Sequence, residues 1–109
     1  GNAASNVAAL GGRATIAGLA GNDAEGRRLL QAFPDTVSRH LVVRSSGYRT
    51  PVKTRILAGG IHSAKQQVVR IDREADWPLA DSLSRAFAAK LTPALAQCDA
   101  VVLSDYGSG

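Results

Sequence analysis

The sequence contains no methionine, one cysteine, one tryptophan and only 5% aromatic residues. A lone thiol, Cys98, builds neither a disulfide framework nor a zinc site by itself. A secreted disulfide scaffold is excluded, and the expected compartment is the cytoplasm. No apolar run approaches the roughly 18–20 residues of a membrane-spanning helix. The start, Gly1-Asn2-Ala3-Ala4, has no basic segment leading into an apolar one, so no signal peptide is legible. The scarcity of aromatic rings counts against a single-strand nucleic-acid binder, which stacks bases on such rings. The lack of methionine, and an apolar run close to the last residue, lead to the expectation of an inner piece of a longer protein.

What is present describes a small globular domain. The 109 residues are 45% hydrophobic and 20% charged, and the mean hydropathy is −0.04 at 11.3 kDa. Those values suit one domain with a modest core and argue against disorder. The net charge is +4. Its excess gathers in the middle, on Arg39, Arg44, Arg49, Lys53, Arg55, Lys65, Arg70 and Arg73, where Asp72 is the only acid. Such a block suits an anionic partner, either nucleic acid or a phosphorylated small molecule, or else a solvated arginine-rich face.

Periodicity supplies the elements. Residues 2–10 read as a helix ended by Gly11-Gly12. The apolar run 14–20 reads as a strand buried on both faces. Asn22 or Asp23 caps a helix over about 24–33, with Leu29, Leu30 and Phe33 on one side and Pro34 as its stop. Residues 40–44 return as a strand, which makes a βαβ unit with parallel neighbours. Residues 51–58 and 66–73 alternate with a period of two and form an antiparallel hairpin. Val52, Thr54, Ile56, Val69 and Ile71 share the packing face; Lys53, Arg55, Gln66, Arg70 and Asp72 share the charged one. After Trp77-Pro78, a helix over about 80–91 carries a stripe of Leu79, Leu83, Phe87 and Leu91. Thr92-Pro93 is expected to start a further short helix. Ala100–Leu103 is expected to form a second buried strand.

Four groups of residues are candidates for chemistry. Asn2, at a helix start, either caps free backbone amides or offers a donor and an acceptor to a sugar. Arg55 and Arg70 pair across the hairpin, and Lys53 adds a point charge. Guanidinium forks bind phosphate bidentately, although a charged edge also deters aggregation. Asp105 follows an apolar strand directly, where open α/β sheets place their ligand crevice, or is a turn residue. His40 and His62 have no acid or thiol at metal spacing and receive no role. Cys98 is expected to be an inert packed thiol.

The run Gly1-Asn2-Ala3-Ala4-Ser5-Asn6-Val7-Ala8-Ala9-Leu10-Gly11 resembles the segment G-G-A-x-N-V-A-x-N-L-A-x-L-G of PfkB/ribokinase-like sugar kinases, joined after its first glycines. Ala17–Gly26 is similar to that family's G-x-x-G-x-D-x-x-G stretch. Thr50-Pro51-Val52-Lys53-Thr54-Arg55, Gln66–Asp72 and Leu103-Ser104-Asp105-Tyr106-Gly107 narrow the resemblance to the bacterial heptose 7-phosphate kinase branch. The resemblance covers essentially the whole chain.

It implies an α/β, ribokinase-like fragment, with a parallel βαβ core at 1–50 and 74–109 and an antiparallel lid hairpin at 51–73. The family's first strand, and its later glycine-rich half with the catalytic aspartate and most of the nucleotide pocket, have no counterpart in these residues. Asn2 would match the sugar-binding asparagine. Lys53, Arg55 and Arg70 would match lid positions facing the phosphate of a phosphosugar. Asp105 would sit beside the phosphoryl-transfer crevice. The implied activity is transfer of the ATP γ-phosphoryl, with Mg2+, to O1 of heptose 7-phosphate in ADP-heptose biosynthesis. No catalytic residue falls in this stretch, so the 109 residues alone are expected to be inactive. The implied partners are the phosphosugar, ATP and a second copy through the hairpin, without nucleic acid or membrane. The alternatives are another sugar kinase of the same family, acting on fructose or ribose, and a basic-hairpin nucleic-acid-binding module.

Overall fold

The computed structural model describes residues 1–60, 64–75 and 78–105. His62, Trp77, Tyr106 and Gly107 lie outside the described residues. The first helix, α1, spans Asn2–Ala9. Its Gly11 adopts φ +88°. The Gly11 N–H donates to the Ala8 carbonyl at 3.1 Å and the Gly12 N–H to the Val7 carbonyl at 2.9 Å. This is a Schellman ending, which the Gly11-Gly12 pair permits because glycine enters the left-handed region without a Cβ penalty. At the other end the N-cap is Gly1, with no side-chain cap. Asn2 is the first helical residue, so the capping role considered for it does not occur.

The βαβ unit forms as the sequence predicts. Strand β1 (Ala14–Gly21), helix α2 (Ala24–Gln31) and strand β2 (Val37–Ser45) follow in order, and β1 pairs with β2 in parallel. Asp23 is the N-cap of α2, its Oδ1 accepting from the Gly26 N–H at 2.7 Å. The Arg39 guanidinium closes the far end of α2, donating from Nη1 to the Leu30 carbonyl at 2.8 Å. A cation suits a helix C-terminus, where carbonyls lack partners.

Burial differs from expectation in β1. Thr15 and Ala17 are exposed, and only Ala20 and Gly21 are buried. Along β2, Val37, Leu41 and Val43 are buried while Ser38, His40 and Arg44 are exposed. The sheet is therefore covered on one face. Of the expected apolar side of α2, Phe33 is buried, Leu30 is half-buried and Leu29 is exposed.

Helix α3 (Asp81–Leu95) touches both strands of this sheet. Its apolar stripe is as predicted: Leu83 is buried, and Leu79, Phe87 and Leu91 are half-buried. No new helix starts at Thr92-Pro93. Pro93 continues α3 inside its last turn, where it gives up the N–H that would bond the Ala89 carbonyl. The Thr92 hydroxyl turns back instead, donating to the Ala88 carbonyl at 2.9 Å. The Lys90 ammonium donates to the carbonyls of His40 at 3.1 Å and Val42 at 3.4 Å. Carbonyls two apart on a strand point to the same edge. They lie on the side of β2 that β1 leaves free.

Strands β3 (Val52–Ala58) and β4 (Gln66–Arg73) make the antiparallel hairpin. Neither face of it packs. Ile56, Val69 and Ile71 are 45%, 45% and 54% exposed, so the expected packing face is open. The register also shifts after Ile56: Val69 pairs with Ile56, but Gln67 pairs with Leu57. Val68 is the extra residue of a bulge. Beyond it Gln66 pairs with Ala58, which moves Gln66 off the charged face.

The expected strand at Ala100–Leu103 is also absent. Residues 100–105 carry no strand, and Val101, Val102 and Leu103 are 54%, 79% and 89% exposed. A strand exists only as a partner in a ladder, and apolar composition alone cannot make one. Cys98 is exposed rather than packed, its thiol on the Ala94 carbonyl at 3.2 Å. The chain exposes 8335 Å², against about 5,700 Å² for a compact monomer of this mass. The architecture is mixed α/β, with a parallel pair, an antiparallel hairpin and a core of Ala20, Phe33, Val37, Leu41, Val43 and Leu83.

Candidate functional site

The hairpin is held by its base. Thr50, just before β3, is buried, at 4% exposure. Its hydroxyl accepts from the Gly21 N–H at 2.8 Å and donates to Asp23 Oδ1 at 2.7 Å. The Thr50 N–H donates to Asp23 Oδ2 at 2.8 Å. One carboxylate thus caps α2 and grips the root of β3. These bonds hold the Asp23 carboxyl below its ordinary value of 3.8, at about 2, with the Thr50 N–H the largest cause. Two glycines make the knot possible. A Cβ on Gly21 would lie 2.6 Å from the Tyr48 carbonyl oxygen, and one on Gly26 would lie 2.3 Å from the Gly21 carbonyl oxygen.

The return strand is tied to the same helix. The Arg73 Nη2 donates to Glu25 Oε1 at 2.8 Å. The Glu25 carboxyl is held below its ordinary value first by its own backbone N–H and then by Arg73. The root of β3 and the end of β4 are therefore both anchored to the first turn of α2. Beside the knot, Asn22, Asp23, Ser46, Tyr48 and Arg49 line a depression at the carboxyl ends of β1 and β2. Burial raises the Tyr48 hydroxyl above its ordinary value.

Acid should loosen this base. A carboxyl whose folded value is depressed contributes stability above its ordinary value and loses it as pH falls through the folded one. The amide resonances of Gly21, Gly26 and Thr50 are therefore expected to shift together between about pH 4 and pH 2. In Asp23→Asn the same resonances should be displaced at neutral pH and flat across that window. A titration of Asp23→Asn that matches the wild type would sink this assignment.

The predicted cations are brought together. Arg55 lies directly opposite Arg70, and Lys53 directly opposite Asp72. Directly paired residues share a face, so Lys53, Arg55, Arg70 and Asp72 form one charged surface. Arg70 Nε lies 3.2 Å from Asp72 Oδ2. Asn2 is not part of it. A Cβ on neighbouring Gly1 would lie 3.6 Å from the Phe33 ring. Phe33 follows α2 and precedes β2, at the amino ends of the strands, whereas the hairpin leaves their carboxyl ends. Asp105 is exposed and follows an unpaired run, so it does not stand at the end of a strand.

Sequence reading missed Thr50 as the buried pivot. Asp23 was legible as a cap. Its grip on a residue 27 positions away had no local signal beyond the neighbouring Pro51. Among the described residues, no three His, Cys, Asp or Glu side chains gather to hold a metal ion, and no helix is long and apolar enough to cross a membrane.

No family model matches the chain. Curated relatives nevertheless align along all of it. "Bifunctional protein HldE" of Trichlorobacter lovleyi is 38% identical over 110 residues, covering 100% of this chain and 21% of that protein. The protein of the same name from Gluconobacter oxydans is 37% identical over 111 residues, covering 99% and 22%. That from Granulibacter bethesdensis is 38% identical over 112 residues, covering 100% and 22%. The chain is thus homologous over its whole length to one stretch of proteins named bifunctional protein HldE, and spans about a fifth of their length.

Proposed function

We propose that this chain is the sugar-binding side of an ATP-dependent carbohydrate kinase of ribokinase-like fold. The whole protein would transfer the γ-phosphoryl of ATP to O1 of heptose 7-phosphate, for ADP-heptose synthesis in the cytoplasm. The observation that carries the reading is the hairpin face, where two guanidinium groups stand opposite each other beside Lys53, in a chain that aligns throughout with HldE proteins. Arginine forks match phosphate oxygens geometrically, and a lysine beside them adds charge without demanding an angle.

In this reading Arg55, Arg70 and Lys53 hold the phosphate already on the sugar. Asp105 borders the phosphoryl-transfer crevice once the remainder of the protein is in place, while Asn2, at the other end of the strands from the hairpin, is not assigned to the same sugar. Mg2+ accompanies ATP. No three His, Cys, Asp or Glu side chains gather among the described residues to hold the ion, and none of them is assigned to it. The open apolar face of the hairpin, with Ile56, Val69 and Ile71, suits a second copy as its cover.

The test uses the full-length protein. Arg55→Ala or Arg70→Ala should raise the KM for the sugar phosphate about 10- to 150-fold, the loss of one charge-assisted bond worth roughly 1.5–3 kcal/mol, with kcat nearly unchanged. Wild-type sugar kinetics in both variants, together with lost salt-dependent DNA or RNA binding, would overturn the kinase reading in favour of a nucleic-acid module.

A further inference from the structure

Asp72 is the one acid in the middle block of cations, and an acid is an unexpected neighbour for a phosphate. Its carboxylate lies 3.2 Å from Arg70 Nε, two positions away on the same strand and face. Its side chain is 23% exposed, while that of Arg70 is 58% exposed. The carboxylate is thus the more sheltered partner and the guanidinium reaches outward. Lys53 stands directly opposite Asp72, and Arg55 opposite Arg70.

We infer that Asp72 is a positioning residue, whose carboxylate pairs with the Nε side of the Arg70 guanidinium and so turns its Nη1/Nη2 fork toward a phosphate group bound on the hairpin face. This rests on the phosphate-binding reading above. A guanidinium is a rigid plane, so an anion held on its Nε side leaves the Nη1/Nη2 pair facing away from it, toward a ligand. The carboxylate also offsets the repulsion of two arginines in direct cross-strand register, an arrangement that is otherwise unfavourable. Three cations and one carboxylate leave two positive charges on the face, matching the charge of −1.5 to −2 on a phosphate monoester at neutral pH.

The sign of one substitution separates positioning from simple electrostatics. Removing the negative charge with Asp72→Asn should tighten anion binding if charge alone matters. It should weaken binding if Asp72 aims Arg70. The probe is inorganic phosphate, titrated into the full-length protein and followed by the arginine Nε–H and backbone amide resonances. Arg70→Ala is expected to weaken binding by about tenfold, and Asp72→Asn by several-fold, with the Arg70 Nε–H resonance displaced before any phosphate is added. Asp72→Glu, which keeps the carboxylate, should recover part of the affinity. Unchanged β3 and β4 amide resonances identify the variants whose hairpin is intact. If Asp72→Asn loses the hairpin, Asp72→Ser decides instead: an unaltered Arg70 Nε–H resonance with unaltered affinity in an intact hairpin overturns the inference. Tighter or unchanged binding in an intact Asp72→Asn also overturns it, while leaving the phosphate reading in place. Unchanged binding in Arg70→Ala, or none by the wild type, brings down the phosphate reading itself.

Discussion

Gly26→Ala is expected to lower the stability of the chain by about 2–3 kcal/mol. The new Cβ would lie 2.3 Å from the Gly21 carbonyl oxygen and 3.0 Å from both Asp23 Oδ1 and Thr50 Oγ1. The closest of these is backbone, which cannot rotate away, and overpacking of that kind costs about 1–3 kcal/mol or more. Alanine's better helix propensity returns up to about 1 kcal/mol, too little to reverse the sign. In a domain held by roughly 5–15 kcal/mol, this is a large share. Gly18→Ala is the control, because nothing lies within 4 Å of a Cβ there. Thermal melting should separate the two by about 10 °C. Coincident melts would show that the knot around Asp23 is looser than its distances state.

Leu83→Ala is expected to cost about 2–5 kcal/mol, the range for a buried leucine reduced to alanine. Leu83 is the only buried residue of α3. A helix of 15 residues is marginal in water without tertiary packing, so its loss should unravel more than one contact. Far-UV circular dichroism should report a drop in helix, and the amides of α3 should exchange faster than those of β2. Leu95→Ala, at a position 43% exposed, should do neither. Retained α3 protection in Leu83→Ala would show that the half-buried Leu79, Phe87 and Leu91 suffice to dock the helix.

The parts of the fold that were legible are those set by near neighbours. Apolar spacing placed α3 and its stripe, Gly11-Gly12 announced the end of α1, and Asp23 announced the start of α2. Strict alternation set the register that brings Arg55 opposite Arg70. The parts that were not legible depend on what lies across space. Val68 is an ordinary strand residue by composition, yet it bulges and turns Gln66 to the other face. Ala100–Leu103 has the composition of a buried strand and no ladder to join. Thr50 looks like any turn threonine until Asp23, Gly21 and Gly26 close around it. Thr92-Pro93 is read as the start of a new helix because proline suits a first turn, but Pro93 lies inside α3 instead, at the loss of one backbone bond.

The reach of Lys90 to the two free carbonyls of β2 gives the parallel sheet a polarity across its width. Another strand pairing on that side must first displace an ammonium held by two acceptors. The edge of the parallel sheet is thereby tied down by one side chain placed on a helix fifty residues away in sequence from the carbonyl of His40 that it covers.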